Sequence, residues 1–123
     1  AVFNLDQVKK ILKNSNSKTN LIISIFAGRI ADTGIDPEEL IKKSVFAKRN
    51  RKKVEILWAS TREIYNIVQA DKAKCDIITV PNSILQKHGM LGQNLNFINL
   101  DTVKTFYLDA KKSRYKIWVN LIK

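Results

Sequence analysis

The sequence predicts an α/β fold built from parallel βα units, and two observations support this. Three short apolar segments, at residues 21–27, 54–59 and 76–80, are rich in β-branched residues and end at turn or polar residues. Segments with helical spacing of apolar residues separate them. Buried apolar strands that alternate with helices are typical of a parallel sheet, and we expect the three strands to be neighbours in sequence order, joined by right-handed crossovers. Because a (β/α)8 barrel needs eight strands in about 250 residues, we expect either a small open sheet or part of a barrel.

Capping signals predict where the first two helices begin. Asn4 and Gln7 form a capping-box pair ahead of an apolar stripe, which predicts a helix from residue 5 onward. Asp36 followed by Pro37 is typical of an N-cap and a first-turn proline, so a second helix is expected between the first two strands.

The later elements follow from the same patterns. Either Ser60 or Thr61 is expected to cap a third helix. Leu85 is placed on a short helix after the third strand, and residues 100–112 have helical spacing. The basic, apolar tail at residues 115–123 fits either a strand or a final helix.

The net charge of +11, from 22 Lys and Arg against 11 Asp and Glu, raises the question of a nucleic-acid partner. Only five of those cations are Arg, the residue that reads phosphate and guanine with two hydrogen bonds. No aromatic residues interleave with the densest basic run, as a base-stacking platform would require. We therefore expect a solvated connection there, and keep a basic nucleic-acid-binding domain as an alternative. The run consists of Lys48, Arg49, Arg51, Lys52 and Lys53.

Several other classes of protein are disfavoured. Cys75 is the only cysteine, which excludes a disulfide framework and favours a reducing, cytoplasmic location. No apolar run reaches the roughly 18 residues of a membrane span. His88 is the only histidine, and we find no metal-ligand cluster or phosphate-binding glycine motif. We expect one domain over residues 1–123, with no cofactor, no metal and no membrane partner.

Polar residues follow the first two predicted strands at their carboxyl ends, where parallel α/β folds carry their sites. Arg29 follows the first strand after a glycine, and Ser60 and Arg62 follow the second. A helix beginning at Ser60 would add free N–H groups, and an arginine fork suits phosphate. These residues predict a phosphate or carboxylate site. The alternative is that Ser60 is only an N-cap and Arg62 only a surface residue.

Five segments resemble, in order, the transaldolase and fructose-6-phosphate aldolase family. They are AVFNLDQV (residues 1–8, the exit of the fifth barrel strand), SIFAGRIADTG (24–34, the sixth strand), ILWAST with Arg62 (56–62, the seventh), DIITVP (76–81, the eighth) and LDTVKTFYLDA (100–110, the terminal helix). The resemblance implies a (β/α)8 barrel of the class I aldolase type. The chain would then correspond to its C-terminal part, about strands six to eight.

The resemblance also implies roles for single residues. Arg29, Ser60 and Arg62 match positions that bind the sugar phosphate, and Ser24 matches a hydroxyl that helps to place the substrate. Phe26 matches an aromatic position lining the pocket, which is typically Phe in transaldolases and Tyr in the aldolase relatives. The phenylalanine therefore favours transaldolase chemistry.

The family's Schiff-base lysine lies on the fourth strand, which the resemblance places before Ala1. None of the lysines follows a predicted strand directly at its carboxyl end, and Lys18, Lys53 and Lys74 all precede strands. We therefore expect no catalytic residue in this chain and no activity from the chain alone.

The implied reaction moves a dihydroxyacetone unit between sugar phosphates in the pentose phosphate pathway. In this interpretation, the chain supplies the phosphate-binding half of the site. The alternative is a noncatalytic half-barrel that binds a phosphorylated ligand or pairs with another half. A sugar phosphate is the expected partner, with self-association or association with the missing barrel half as further expectations.

Overall fold

A computed structural model describes residues 1–113 of the chain, which divides into two compact units, residues 1–88 and residues 89–123. The first unit contains helices α1 (Leu5–Asn14), α2 (Ala27–Ala31), α3 (Pro37–Ala47), α4 (Tyr65–Lys72) and α5 (Asn82–Leu85), and strands β1 (Leu21–Ile25), β2 (Val54–Trp58) and β3 (Ile77–Ile78). A 3₁₀ turn follows at His88–Met90. The described part of the second unit is mainly helix α6 (Leu95–Ser113).

The three strands form one parallel sheet in the order β1-β2-β3, which confirms the predicted α/β class with parallel strands and the predicted strand order. Leu21 is level with Val54, and Leu57 with Ile77. Val2 extends the sheet beyond β1 by a parallel bridge to Ile25, with its N–H donating to the Ser24 carbonyl at 2.9 Å. The arrangement fits part of a barrel of the (β/α)8 type.

The two faces of the sheet differ in burial. The face made by Ile23, Ile25, Val54, Ile56 and Trp58 packs into the core with residues of the helices. The opposite face is open, since Ile22 is 52% exposed and Glu55 is also exposed. The expectation that β1 is a fully buried strand is therefore wrong in this structure, because the helices cover only one side of it.

The capping predictions hold for α1 and α3, the first two helices that the sequence predicts. The Gln7 N–H donates to Asn4 Oδ1 at 2.9 Å, and Gln7 Oε1 accepts the Asn4 N–H at 3.3 Å. Asp36 accepts the Glu38 N–H at 2.9 Å, with Pro37 at the first helical position. These contacts satisfy backbone donors that the helix itself leaves unpaired.

Several boundaries differ from the sequence prediction. β1 ends at Ile25, not at Ala27, which instead begins α2, a helix that the sequence pattern does not predict. α4 begins at Tyr65, not near Ser60 or Thr61, and β3 has only two residues. α6 begins at Leu95, five residues earlier than its apolar spacing indicated. The prediction for residues 115–123 lies outside the described residues. No helix in residues 1–113 is both long and apolar enough to cross a membrane.

The basic run lies at the amino end of β2 and is mostly engaged within the unit. Lys48 Nζ pairs with Asp76 at 2.7 Å, and Lys53 Nζ donates to the Lys18 carbonyl at 3.0 Å. Arg51 donates to carbonyls of the chain that leaves α1. The prediction of a merely solvated connection is thus only partly right, since these cations also join neighbouring segments.

Candidate functional site

The segments that follow β1 and β2 approach each other very closely. The Gly28 N–H, in the first turn of α2, donates to the Ala59 carbonyl at 3.3 Å. A Cβ atom at Gly28 would lie 1.6 Å from the Ser60 carbonyl oxygen, closer than any real contact. Glycine is therefore required here for packing, because the two backbones meet where a side chain has no room.

The chain turns sharply at Ser60 as it leaves β2. Its φ of 64° lies in the left-handed region, which is uncommon for a residue with a side chain. The next residue, Thr61, is 5% exposed and donates its hydroxyl to the Thr79 carbonyl at 2.7 Å. Thr61 thus joins the ends of β2 and β3, while the Ser60 hydroxyl has no hydrogen-bond partner among residues 1–113.

Arg29 lies on α2, directly after Gly28. Its guanidinium carbon is 5.6 Å from the centroid of the Phe26 ring, which in turn lies 5.8 Å from that of Phe3. Arg29 is exposed and has no hydrogen bond or ion pair within the described part of the chain. An aromatic face thus supports the guanidinium and leaves its N–H donors available.

Arg62 has a carboxylate partner that sequence reasoning missed. Its Nη2 lies 2.8 Å from Asp32 Oδ2, and the two side chains are 53% and 54% exposed. The pair links the end of α2 to the segment after β2. An ion pair this exposed contributes little stability. Asp32 lies in the sequence segment already singled out, but its spacing gives no sign of a partner 30 residues away.

The prediction that free N–H groups of a helix start beside Ser60 would bind an anion is wrong. The backbone N–H groups of Arg62 and Glu63 donate to Asn66 Oδ1, at 2.9 and 3.2 Å. Asn66 is 6% exposed, so this buried side chain occupies donors that an anion would otherwise use. The signal that could have identified it is a polar residue inside the first helical turn, which sequence reasoning did not weigh.

Ser24 lies within β1, level with Leu57, and is half-buried. Its hydroxyl has no hydrogen-bond partner in residues 1–113. The structure therefore brings the Gly28 and Ser60 backbones together and joins Arg62 to Asp32. No hydrogen bond or ion pair joins Arg29 to either Ser60 or Arg62 within the same described stretch.

This arrangement suits binding of an oxyanion. The guanidinium groups of Arg29 and Arg62 and the Ser60 hydroxyl lie in the segments that follow β1 and β2, and the Ser24 hydroxyl lies within β1. Such donors are typical of phosphate sites. The site has no histidine, cysteine or lysine to act as base or nucleophile among the residues just described. No group of three or more His, Cys, Asp or Glu side chains in residues 1–113 could hold a metal ion.

The family model and the similar proteins all indicate the same family. The model of the transaldolase/fructose-6-phosphate aldolase family matches residues 1–120. A probable transaldolase of Nitrosopumilus maritimus is 38% identical over 81 residues, covering 64% of this chain and 36% of that protein. Probable transaldolases of Caldicellulosiruptor saccharolyticus and Chelativorans sp. are 42% identical over 67 residues and 38% over 87, covering 53% and 68% of this chain.

The chain spans 31% to 40% of the length of these three relatives. The family match nevertheless runs through both compact units and includes all five predicted site residues. The chain therefore belongs to the transaldolase/fructose-6-phosphate aldolase family.

Proposed function

We propose that this chain supplies the phosphate-binding part of a transaldolase-type active site, corresponding to about strands six to eight of the family's barrel. The observation that carries the proposal is the contact of Gly28 with the Ser60 carbonyl. It holds the segments that bear Arg29 and Arg62 at the carboxyl end of the sheet, where parallel α/β enzymes bind their ligands.

In this proposal, each site residue has a role that follows from the chemistry of its side chain. Arg29 and Arg62 bind the phosphate of a sugar phosphate, and the Ser60 hydroxyl donates a further hydrogen bond. Ser24 positions the substrate chain from the open face of β1. Phe26 gives the pocket an apolar wall. Because its ring carries no hydroxyl to orient water, it favours transfer of the dihydroxyacetone unit over its release.

In the family, the Schiff-base lysine lies on the fourth barrel strand, outside the strands to which this chain corresponds in the proposal. Such a lysine must be desolvated to be neutral and nucleophilic at neutral pH. Lys18 and Lys53 lie at the amino end of the strands, and arginine cannot replace the amine because it stays protonated. We therefore infer that the chain alone does not catalyse transfer. The lone Cys75 suits the reducing cytoplasm.

Calorimetric titration of the chain with fructose 6-phosphate and with inorganic phosphate tests the binding role. Replacing Arg29 or Arg62 by Ala should each weaken binding by about 1.5–3 kcal/mol, the range for hydrogen bonds to charged groups. Arg49→Ala is the matched control, since it removes the same charge at the opposite end of β2. Equal affinities for all three variants would contradict the proposal.

Borohydride reduction in the presence of fructose 6-phosphate tests the catalytic part. We expect no covalent adduct by mass spectrometry. A stoichiometric adduct at one lysine, together with turnover, would show that the chain contains the catalytic amine.

A noncatalytic half-barrel that pairs with another half is a second candidate. The open sheet face supports it, because Ile22 is 52% exposed on a strand whose other side is core. Sedimentation velocity separates the two: a stable dimer lost in Ile22→Lys favours pairing, whereas a monomer that binds phosphate favours the first proposal. The engagement of the basic run with neighbouring segments argues against a nucleic-acid-binding domain.

A further inference from the structure

A groove of about 560 Å³ lies between α1 and α3, apart from the candidate phosphate site. Its apolar part is formed by Leu5, Phe46 and Ala47, and its cationic part by Lys9, Lys42, Lys43 and Arg49. No acidic residue lines it. This combination of an apolar floor and basic rim is independent of the function proposed above.

Phe46 is the dominant apolar feature of the groove, since it is 65% exposed although it lies on a helix whose other face is core. The Arg49 guanidinium carbon lies 4.1 Å from the centroid of its ring, and Arg49 Nη1 donates to the Phe46 carbonyl at 3.1 Å. Arg49 thus covers part of the ring and is held in place. Aromatic residues and arginine are the types that most often dominate binding energy at protein interfaces.

The cations retain capacity for a partner's carboxylates. Lys9 has no ion-pair partner among residues 1–113. Lys42 pairs with Glu38 at 2.6 Å and Lys43 with Glu39 at 2.9 Å, both one turn away on the same helix. Each ammonium group has three donors, so one carboxylate leaves others free, and such exposed pairs are weak.

We propose that this groove binds an acidic amphipathic helix of a partner protein. Glutamates or aspartates of the partner would meet the basic rim, and leucine or aromatic side chains at i, i+3 and i+4 would contact Phe46 and Leu5. A second copy of this chain is disfavoured because it would bring a net charge of +11 against a cationic rim. Nucleic acid is disfavoured because Arg49 already occupies one face of the Phe46 ring, on which a base would have to stack, while the rest of the ring stays open to aliphatic side chains.

The probe is a fluorescein-labelled synthetic helix of about 15 residues, with leucines at helical spacing and glutamates elsewhere. Anisotropy titration against the full chain should show saturable binding. A scrambled peptide of identical composition, which lacks the apolar stripe, should bind at least fivefold more weakly. Phe46→Ala should weaken binding of the helix by about tenfold.

Charge reversal provides a matched pair of variants. Lys9→Glu with Arg49→Glu should weaken binding by tenfold or more. Lys10→Glu with Lys52→Glu lowers the net charge by the same amount at residues that do not line the groove, and should weaken it by less than threefold. Circular dichroism checks that each variant keeps its fold.

Three outcomes would overturn the proposal. One is equal loss in the two charge-reversed variants, which would mean nonspecific attraction to a basic protein. Another is equal affinity for the helix and its scrambled form. The third is tighter binding of a labelled single-stranded oligonucleotide than of the helix, with Phe46→Ala without effect on the helix.

Discussion

The two ends of the same parallel sheet both carry arginine, but they use it differently. At the amino end, the Arg51 guanidinium donates to the carbonyls of Leu12 at 2.7 Å, Ser15 at 3.2 Å and Asn16 at 3.2 Å. At the carboxyl end, Arg29 has no hydrogen bond among residues 1–113, and Arg62 has one exposed carboxylate partner. The first arginine therefore holds the fold together, whereas the other two remain available to a ligand.

The direction of the backbone explains this division. Helix α1 ends near the amino end of the sheet and leaves carbonyl groups without helical partners, which a cationic donor such as Arg51 can satisfy. After β2, the free N–H groups of Arg62 and Glu63 already donate to Asn66, so no surplus helix-start donors remain there. Neither the Arg29 nor the Arg62 guanidinium donates to a helix carbonyl within residues 1–113, so both can still bind an anion.

The largest expected effect comes from a substitution that disrupts the packing at the carboxyl end of the sheet. Gly28→Ala places a Cβ against the Ser60 carbonyl, which is backbone and cannot move away without shifting a whole segment. We expect a loss of about 3 kcal/mol in the free energy of unfolding, at the upper end of overpacking costs, together with loss of phosphate binding. Urea denaturation and calorimetry measure the two effects.

Gly89→Ala is the matched control for that variant, since nothing lies within 4 Å of a Cβ placed there. It should change the unfolding free energy by no more than about 0.5 kcal/mol. If Gly28→Ala were equally mild, the close approach of the two segments would not be a feature of the protein in solution.

The second prediction compares how arginines at the two ends of the sheet contribute to the free energy of unfolding and to phosphate binding. Arg51→Ala should cost about 1.5–3 kcal/mol of unfolding free energy, because it leaves several carbonyls without their charged donor. Arg62→Ala should cost at most about 1 kcal/mol, since its ion pair is exposed. Phosphate affinity should show the opposite pattern, falling in Arg62→Ala and unchanged in Arg51→Ala.

Lys52→Ala, which removes an exposed charge next to Arg51, should leave both quantities unchanged. Urea denaturation of the three variants, followed by phosphate titration under conditions where each is folded, decides the matter. A larger stability loss in Arg62→Ala than in Arg51→Ala would reverse the assignment of the two ends.

The smallest expected effect concerns Cys75, beside β2. Its Sγ donates to the Ile56 carbonyl at 3.2 Å, and burial raises the pKa of the thiol. The unfolded chain therefore loses this proton at a lower pH than the folded one does. The free energy of unfolding should fall as pH rises above about 8.5, the ordinary pKa of cysteine.

Urea denaturation between pH 7 and 10 should show that slope in the unaltered chain and a shallower one in Cys75→Ala. Because lysines also titrate at the upper end of this range, the difference between the two slopes is the quantity to compare. Identical slopes would mean that burial of the thiol does not differ between the folded and unfolded states.

The sequence predicted some local features correctly but not the start of α4. The capping residues Asn4 and Asp36 mark their helices because a cap acts over three or four residues of chain. The strand order also followed from sequence, since helices between apolar strands leave parallel pairing as the simplest arrangement. Contacts between residues distant in sequence, such as the ion pair of Arg62 with Asp32, could not be predicted from the spacing of residues.

By itself, the sequence determined the α/β class, the parallel order of three strands and the family, because apolar periodicity, caps and contiguous motifs are all short-range patterns. Only the tertiary structure decided that Gly28 meets the Ser60 carbonyl, that Asn66 occupies donors beside Arg62, and that one sheet face stays open. These features depend on which distant segments come into contact, and that is set by packing of the whole unit and not by any local stretch of residues.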